Sequence, residues 1–460
     1  MTVFSNSSHD NWKPYPNYKD SGIEWLGKIP KQWEVKRLKF SAELNPSPLA
    51  ARRLYRDIEV SFVPMEAVGE NGGIDLNQTK PIADIGSGYT YFADGDVIVA
   101  KITPCFENGK GAIAAGLSNG IAFGTTELHV LRALDSVDRS FLFYVTQSDA
   151  FRRLGEAEMY GAGGQKRVPE IFIENFKHPI PAELEQIAIA AYLDRETAKI
   201  DALTEKKERL IKLLQEKRTA LITQAVTKGL DPTVPMKDSG IEWLGRIPEH
   251  WETLVLKRIG DLQAGAGFPD EEQGLTTEEI PFYKVGDMGM PGNEREMREC
   301  QHTVSRSSAR RLRAFIFPIA TIVFAKVGAA LLLNRRRLLT RPSCIDNNMM
   351  GFMPNHCDLA WAMYWLSGLD LGELANPGAV PSVNEGQMRD TPVALPPKPE
   401  QQAIASFLDR ETAKIDALIA KIREAITLLK EYRSALISAA VTGKIDVRED
   451  AAGASAANHN

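Results

Sequence analysis

Gly22-Ile23-Glu24-Trp25-Leu26-Gly27-Lys28 has the glycine and lysine spacing of a phosphate-cradling loop. Such a loop needs a strand before it and a Ser or Thr after the lysine to hold the metal. Ile29 follows instead, and a related segment ends in Arg246. Phosphate transfer is therefore set aside, and Ile23, Trp25, Leu26, Ile29 and Trp33 read better as an apolar strap. Asn45-Pro46-Ser47-Pro48 begins like a loop that orients an amino group for methylation, but Pro48 stands where the aromatic residue belongs. Gly161-Ala162-Gly163-Gly164 and Gly265-Ala266-Gly267 lack the spacing of a methyl-donor or dinucleotide turn. Cys300 with His302, and His356 with Cys357, are each half of a zinc site with no second half. No Ser-His-Asp or paired-carboxylate arrangement is defensible. These residues predict a chain with no catalytic residue, no metal and no cofactor of its own.

The residues that could do something lie in basic runs. The first half has Arg52, Arg53 and Arg56, then Lys101 and Lys110, then Arg152 and Arg153. It also has Gly163, Gly164, Gln165, Lys166 and Arg167 in one turn. The second half has Arg306, Arg310, Arg311 and Arg313, then Lys326, then Arg335, Arg336, Arg337 and Arg341. Arginine and lysine neutralise phosphates, and arginine also grips guanine through two hydrogen bonds. Glycines beside Gln165 let a backbone approach a phosphate, or an amide approach an adenine edge. The net charge of −5 excludes a generally basic nucleic-acid coat, so a DNA reading rests on these local clusters.

The elements that must position them are repeated. KDSGIEWLGKI at 19–29 returns as KDSGIEWLGRI at 237–247, and Pro30 and Trp33 return as Pro248 and Trp251. LDRETAKIDAL at 193–203 returns unchanged at 408–418, and Glu185-Gln186 returns as Glu400-Gln401. Two blocks recurring in the same order define a tandem duplication. Between them the chain differs, with faint echoes: Ala100-Lys101-Ile102 against Ala325-Lys326-Val327, and Gly163 and Val168 against Gly378 and Val383. At the matching offset Gln165-Lys166-Arg167 becomes Val380-Pro381-Ser382.

Residues 182–227 contain no proline or glycine. Leu193, Ile200, Leu203, Leu210, Leu214 and Leu221 form a seam at helical spacing, as do Leu408, Ile415, Leu418, Ile422, Ile426, Leu429 and Leu436. Each helix of about 45 residues would reach roughly 67 Å. Its natural partner is the other copy, antiparallel, relating the two variable domains by a pseudo-twofold axis. The apolar run 314–333 approaches the length of a membrane span, but Lys326 and Pro318 interrupt it. The echo with 95–103 favours a buried strand around Ile319–Val323 and a second short element over 325–333.

The 460 residues divide as follows: an N-terminal tail 1–18, a strap 19–39, a variable domain 40–181 and a helix 182–229. A linker and second strap 230–257, a variable domain 258–397, a helix 398–443 and a tail 444–460 follow. Both tails read as poorly ordered. Cys105, Cys300, Cys344 and Cys357 form no CxxC pair, and no secretory signal is visible, so a reducing cytoplasm is expected.

Pro179-Ile180-Pro181 before Glu185-Gln186, and Pro396-Pro397-Lys398-Pro399 before Glu400-Gln401, complete a pattern. With the duplicated DSGIEWLG-IP-W block, over about residues 19–445, the chain resembles the DNA-specificity subunit of type I restriction-modification systems. The resemblance implies an α+β fold with two α/β target-recognition domains separated by two long antiparallel α-helices forming a coiled coil. Each domain would read one half of a bipartite double-stranded DNA target. The helices would set the gap and dock two methyltransferase subunits, which motor-nuclease subunits join. S-adenosylmethionine and ATP would belong to those partners, and no membrane is involved. Half-sites one helical turn apart lie about 34 Å from each other, within the reach of such a helix pair.

Overall fold

A computed structural model describes residues 12–48, 55–85, 88–162, 164–376 and 378–448. It contains two long helices, Glu183–Lys228 and Lys398–Val441. The chain divides into two compact units, residues 1–207 with 423–460, and residues 208–422. Each unit therefore takes the first part of one long helix and the last part of the other.

Within each unit the two helix segments run antiparallel. In the first, Arg433 Nε meets Asp201 Oδ1 at 3.0 Å, and Arg448, just beyond the second helix, lies 4.0 Å from Glu185 at the start of the first. In the second, Arg218 Nε meets Asp416 Oδ1 at 3.0 Å, and Glu400, early in the second helix, lies against Gly229 just past the first. Both arginine–aspartate pairs use the same two positions of the duplicated sequence.

The seam is narrower than the repeat of leucines implies. Leu193, Ile200, Leu408, Ile415, Ile422, Ile426 and Leu436 are buried, and Leu214, Leu221 and Leu429 are half-buried. Leu203, Leu210 and Leu418 are 43–44% exposed, contrary to their expected place in the seam, while Ile222, Ile404, Ile419 and Ile437 are buried. Two helices cover only a thin stripe of each other, and a 3.6-residue turn drifts off a strict seven-residue repeat.

Each variable domain is built around a wholly buried strand. Val97–Ala100 and Ile322–Ala325 are apolar at every position and lie inside their sheets. Val97–Ala100 pairs with Leu128–Ala133 on one side and Gly111–Ile113 on the other. Ile322–Ala325 pairs with Met349–Pro354 and Arg336–Leu339. A strand buried on both faces reads as a continuous hydrophobic run rather than an alternating one. The run 314–333 is thus a strand plus a short helix, Ala329–Leu332. Ile319 lies outside the strand and is 62% exposed, because the preceding Pro318 and a positive φ at Ala320 form a turn. No helix among the described residues is long and apolar enough to cross a membrane.

The straps fold as paired copies. Tyr18–Asp20 pairs with Lys28–Pro30, and Met236–Asp238 with Arg246–Pro248. Trp33 and Trp251 are buried where the opposite copy's helix ends, against Gly443 and Gly229 respectively. At Gly443 (φ +72°) a Cβ would stand 2.3 Å from Pro30 and 3.0 Å from Trp33, so both backbone and space require glycine. The expectation of loose tails fails for the described parts. Tyr15, Ile445 and Val447 are buried in the first unit's core, and Asp446 N donates to Lys13 O at 2.7 Å. This stretch closes the first unit as the continuous chain at Gly229 closes the second.

His178, on Lys177–Ile180, is fully buried between Ser41 Oγ (2.9 Å from Nε2) and its neighbour's carbonyl, Pro179 O (3.0 Å from Nδ1). A carbonyl only accepts, so Nδ1 carries the proton and Nε2 accepts from the serine. Burial pushes its pKa down to about 4. Below pH 6.5 the unfolded chain takes up a proton that the folded chain refuses, so stability falls as pH drops from about 6.5 towards 4. His178→Gln should remove up to about 3 kcal/mol of that pH dependence, read as the difference between the two proteins' urea-unfolding profiles at pH 7 and pH 4.5. Parallel profiles would place a neutral histidine elsewhere.

Candidate nucleic-acid interface

The basic turn in the first unit is a hairpin pinned to the strand edge. Tyr160 pairs with Arg167, and Arg167 with Ile102. Thr103 Oγ1 donates to Gly164 O at 2.8 Å and accepts from Lys166 N at 3.1 Å; Thr103 N donates to Lys166 O at 3.0 Å. Val168 N donates to Lys101 O at 2.8 Å, and His129 Nε2 lies 2.9 Å from Val168 O. At Gly161 (φ +146°) a Cβ would fall 2.4 Å from Gln165 O, so glycine is required for the loop to close. Gln165, Lys166 and Tyr160 project outward from this frame as exposed side chains.

The second unit rebuilds the same frame with other residues. Asn376 and Val327 pair with Ser382, Gly328 N donates to Pro381 O at 2.8 Å, and Val383 N donates to Lys326 O at 2.9 Å. Positions 165–167 and 380–382 therefore occupy equivalent places beside equivalent lysines, Lys101 and Lys326. One presents Gln-Lys-Arg and the other Val-Pro-Ser.

The remaining basic residues separate into exposed and committed groups. Arg56, Arg310 and Arg313 are exposed, Lys101 and Lys326 are half-exposed, and Arg335 is exposed. Arg167 is bound by both carboxylate oxygens of Glu127, at 2.7 and 2.9 Å, and this holds the Glu127 carboxyl below its ordinary pKa. Arg311 is bound to Glu272. Lys110 is half-buried and donates to Met65 O at 3.1 Å. Arg152 reaches Ser434 on the second long helix at 2.8 Å.

The Arg335–Arg337 run does not form one basic face. Arg336 is 4% exposed, donates to Leu369 O at 2.9 Å and lies 5.5 Å from the Phe324 ring; burial pushes its pKa down to about 9. Arg337 donates to Arg336 O and Met288 O. Arg336 opens the strand Arg336–Leu339 with its side chain turned inward, and Arg335 lies just before that strand. Arg52, Arg53 and Gly163 lie outside the described residues. Among those described, no cluster of three or more His, Cys, Asp or Glu could hold a metal ion.

What holds the domains to the helices is a set of polar braces that motif reading missed. Gln186 Oε1 accepts from Asp138 N at 2.9 Å while its Nε2 donates to Pro181 O at 3.0 Å. Gln401 does the same with Asp358 N (2.6 Å) and Pro396 O (2.8 Å). Tyr144 OH donates to Asp194 at 2.7 Å and lies 3.3 Å from Thr197. Tyr364 repeats this with Asp409 at 2.8 Å and Thr412 at 3.2 Å. The signal was present in the repeated LDRETAKIDAL, whose Thr197 and Thr412 are buried and whose Asp194 and Asp409 lie at the edge of the same contact.

A constant frame thus presents the same loop position twice with different side chains. Residues 248–428 match the family described as the type I restriction modification DNA specificity domain. The EcoAI specificity subunit of Escherichia coli is 35% identical over 244 residues, covering 53% of this chain and 40% of that protein. The EcoEI specificity subunit of Escherichia coli is 38% identical over 179 residues, covering 38% of this chain and 30% of that protein. These matches thus span less than half the length of either relative. A chain of a solved type I R-M system superposes with a TM-score of 0.65 at 18% identity, covering 91% of this chain and 99% of that one, which shows a shared fold. Residues 248–428 thus carry a type I restriction modification DNA specificity domain, and the chain is similar to type I specificity subunits.

Lys166→Gln should weaken duplex binding similarly across sequences and reduce the salt slope of log affinity by about one. Gln165→Ala should instead relax base preference at one position of the bound sequence. Unchanged affinity and preference in both variants would take this hairpin out of the interface.

Proposed function

We propose that this chain is the sequence-reading subunit of a type I restriction-modification complex. Each variable domain reads one half of a bipartite double-stranded DNA target, and the long helices set the gap between halves. The observation that supports this most is the repeated hairpin: one backbone frame, braced by the equivalent Thr103 or Gly328 edge, offering two different side-chain sets. Two different half-sites require such a difference. The chain supplies no chemistry; adenine methylation with S-adenosylmethionine, and ATP-driven cleavage, belong to methyltransferase and motor-nuclease partners in the cytoplasm.

A genome-wide adenine-methylation map of cells carrying the chain with its neighbouring methyltransferase should reveal a split motif, absent without the chain. Inserting four residues between Lys206 and Leu214 should change the gap and leave both half-sites intact. An altered half-site would count against the helices as a ruler.

The helices also offer a docking surface. Leu203 and Leu418 occupy the same position of the repeat and are 43% and 44% exposed. Exposed leucines at equivalent positions suit two identical partners, here the two methyltransferase subunits. Leu203→Asp with Leu418→Asp should leave the chain folded by circular dichroism and abolish co-elution with the methyltransferase. An intact complex would assign docking to another face.

A further inference from the structure

A cavity of about 620 Å³ lies within the second unit, walled by both long helices and by the second variable domain. Arg218, Arg295, Arg335, Arg336 and Arg337 line it, against Glu294, Asp370, Asp409 and Asp416. Two of the arginines are matched: Arg218 with Asp416 at 3.0 Å and Arg295 with Asp409 at 2.9 Å. Asp370 is engaged by Asn334 Nδ2 and Gly372 N, both at 2.8 Å. Among the described residues no carboxylate pairs with Arg336 or Arg337, whose bonds go to backbone carbonyls and, at 3.4 Å, to the Asn334 side-chain oxygen. Arg336 is 4% exposed and its Nε has no partner. A buried guanidinium with no carboxylate in direct contact, Asp370 acting on it only from a distance, is costly to hold, and the cost falls when an anion enters.

The duplication supplies the comparison. The first unit has the same helix positions, Arg433 with Asp201, beside the same tyrosine brace. There a loop of the first variable domain covers them: Asn71 Nδ2 donates to Asp201 Oδ1 at 3.3 Å, and Arg433 Nη2 donates to Asn71 O at 3.4 Å. Arg433 is left 10% exposed, whereas Arg218 is 37% exposed onto the cavity. The second unit thus leaves open, and surrounds with extra arginines, a place that the first unit fills with its own chain.

The volume lies within the range of pockets that hold nucleotide-sized ligands. Arginine forks match the oxygens of a phosphate better than any other side chain does. We propose that this cavity is a phosphate-binding site, taking the phosphate groups of a nucleotide that is either free or part of a DNA strand. Only the second source rests on the specificity reading given above.

The test is isothermal titration of the full chain, at low ionic strength, with sodium pyrophosphate and separately with duplex DNA. It uses the unaltered chain and Arg335→Gln, an exposed position whose loss leaves the buried braces intact. Pyrophosphate binding that Arg335→Gln weakens by about tenfold or more identifies a free phosphate ligand. No pyrophosphate binding, but a DNA salt slope lowered by about one in Arg335→Gln, identifies a strand phosphate. Pyrophosphate bound equally by both proteins, or no change in either titration, overturns the site. Loss of DNA binding in Lys166→Gln alongside that null result would leave the specificity reading standing and remove only the cavity.

Discussion

Neither copy of the duplicated sequence can bury its own core, and the rest of the architecture depends on this constraint. The first unit's core joins Leu193 and Ile200 of one long helix to Leu436, Ile437, Ala440 and Val441 of the other. The second joins Ile404, Ala405 and Leu408 to Ile222, Ala225 and Val226. Each helix is therefore continuous because it belongs to two cores at once. The straps complete the exchange: Trp33 closes on Gly443 and Trp251 on Gly229, so each copy's strap caps the other copy's helix.

On that shared base the variable domains are held by buried polar contacts. Gln186 and Gln401 each bridge the cap of a domain helix to the turn before a long helix, satisfying backbone groups that would otherwise be buried without partners. The tyrosine–aspartate–threonine braces join side chain to side chain about two to three turns further along. Such contacts are directional, so they fix the orientation of a domain on the helix where apolar packing alone would tolerate sliding.

The freedom left to the variable domains is correspondingly local. The hairpin beside Lys101 and its copy beside Lys326 keep their backbone bonds while three side chains are exchanged. The same backbone bond, Thr103 N to Lys166 O in one and Gly328 N to Pro381 O in the other, keeps the register, and the first copy adds the Thr103 hydroxyl. The domains also diverge in what they cover. The Asn71 loop covers the Arg433–Asp201 pair of the first unit, whereas the equivalent Arg218–Asp416 pair of the second lines an arginine-rich cavity.

The duplication, the two long helices, the buried central strands and the recognition family were legible in the residues, because each is written in local spacing or exact repetition. Helical periodicity also named most of the seam, since a residue's face follows from its position along one helix. It failed at Leu203, Leu210 and Leu418, where burial depends on a partner's width. The basic run Arg335–Arg337 could not be divided in advance, because inward and outward faces of a strand are assigned by the sheet it joins. The tails read as disordered from composition, yet Tyr15 and Val447 are core residues, joined by contacts more than 400 positions apart. Spacing along the chain decides which elements form; which of their faces are covered is decided only when distant segments meet.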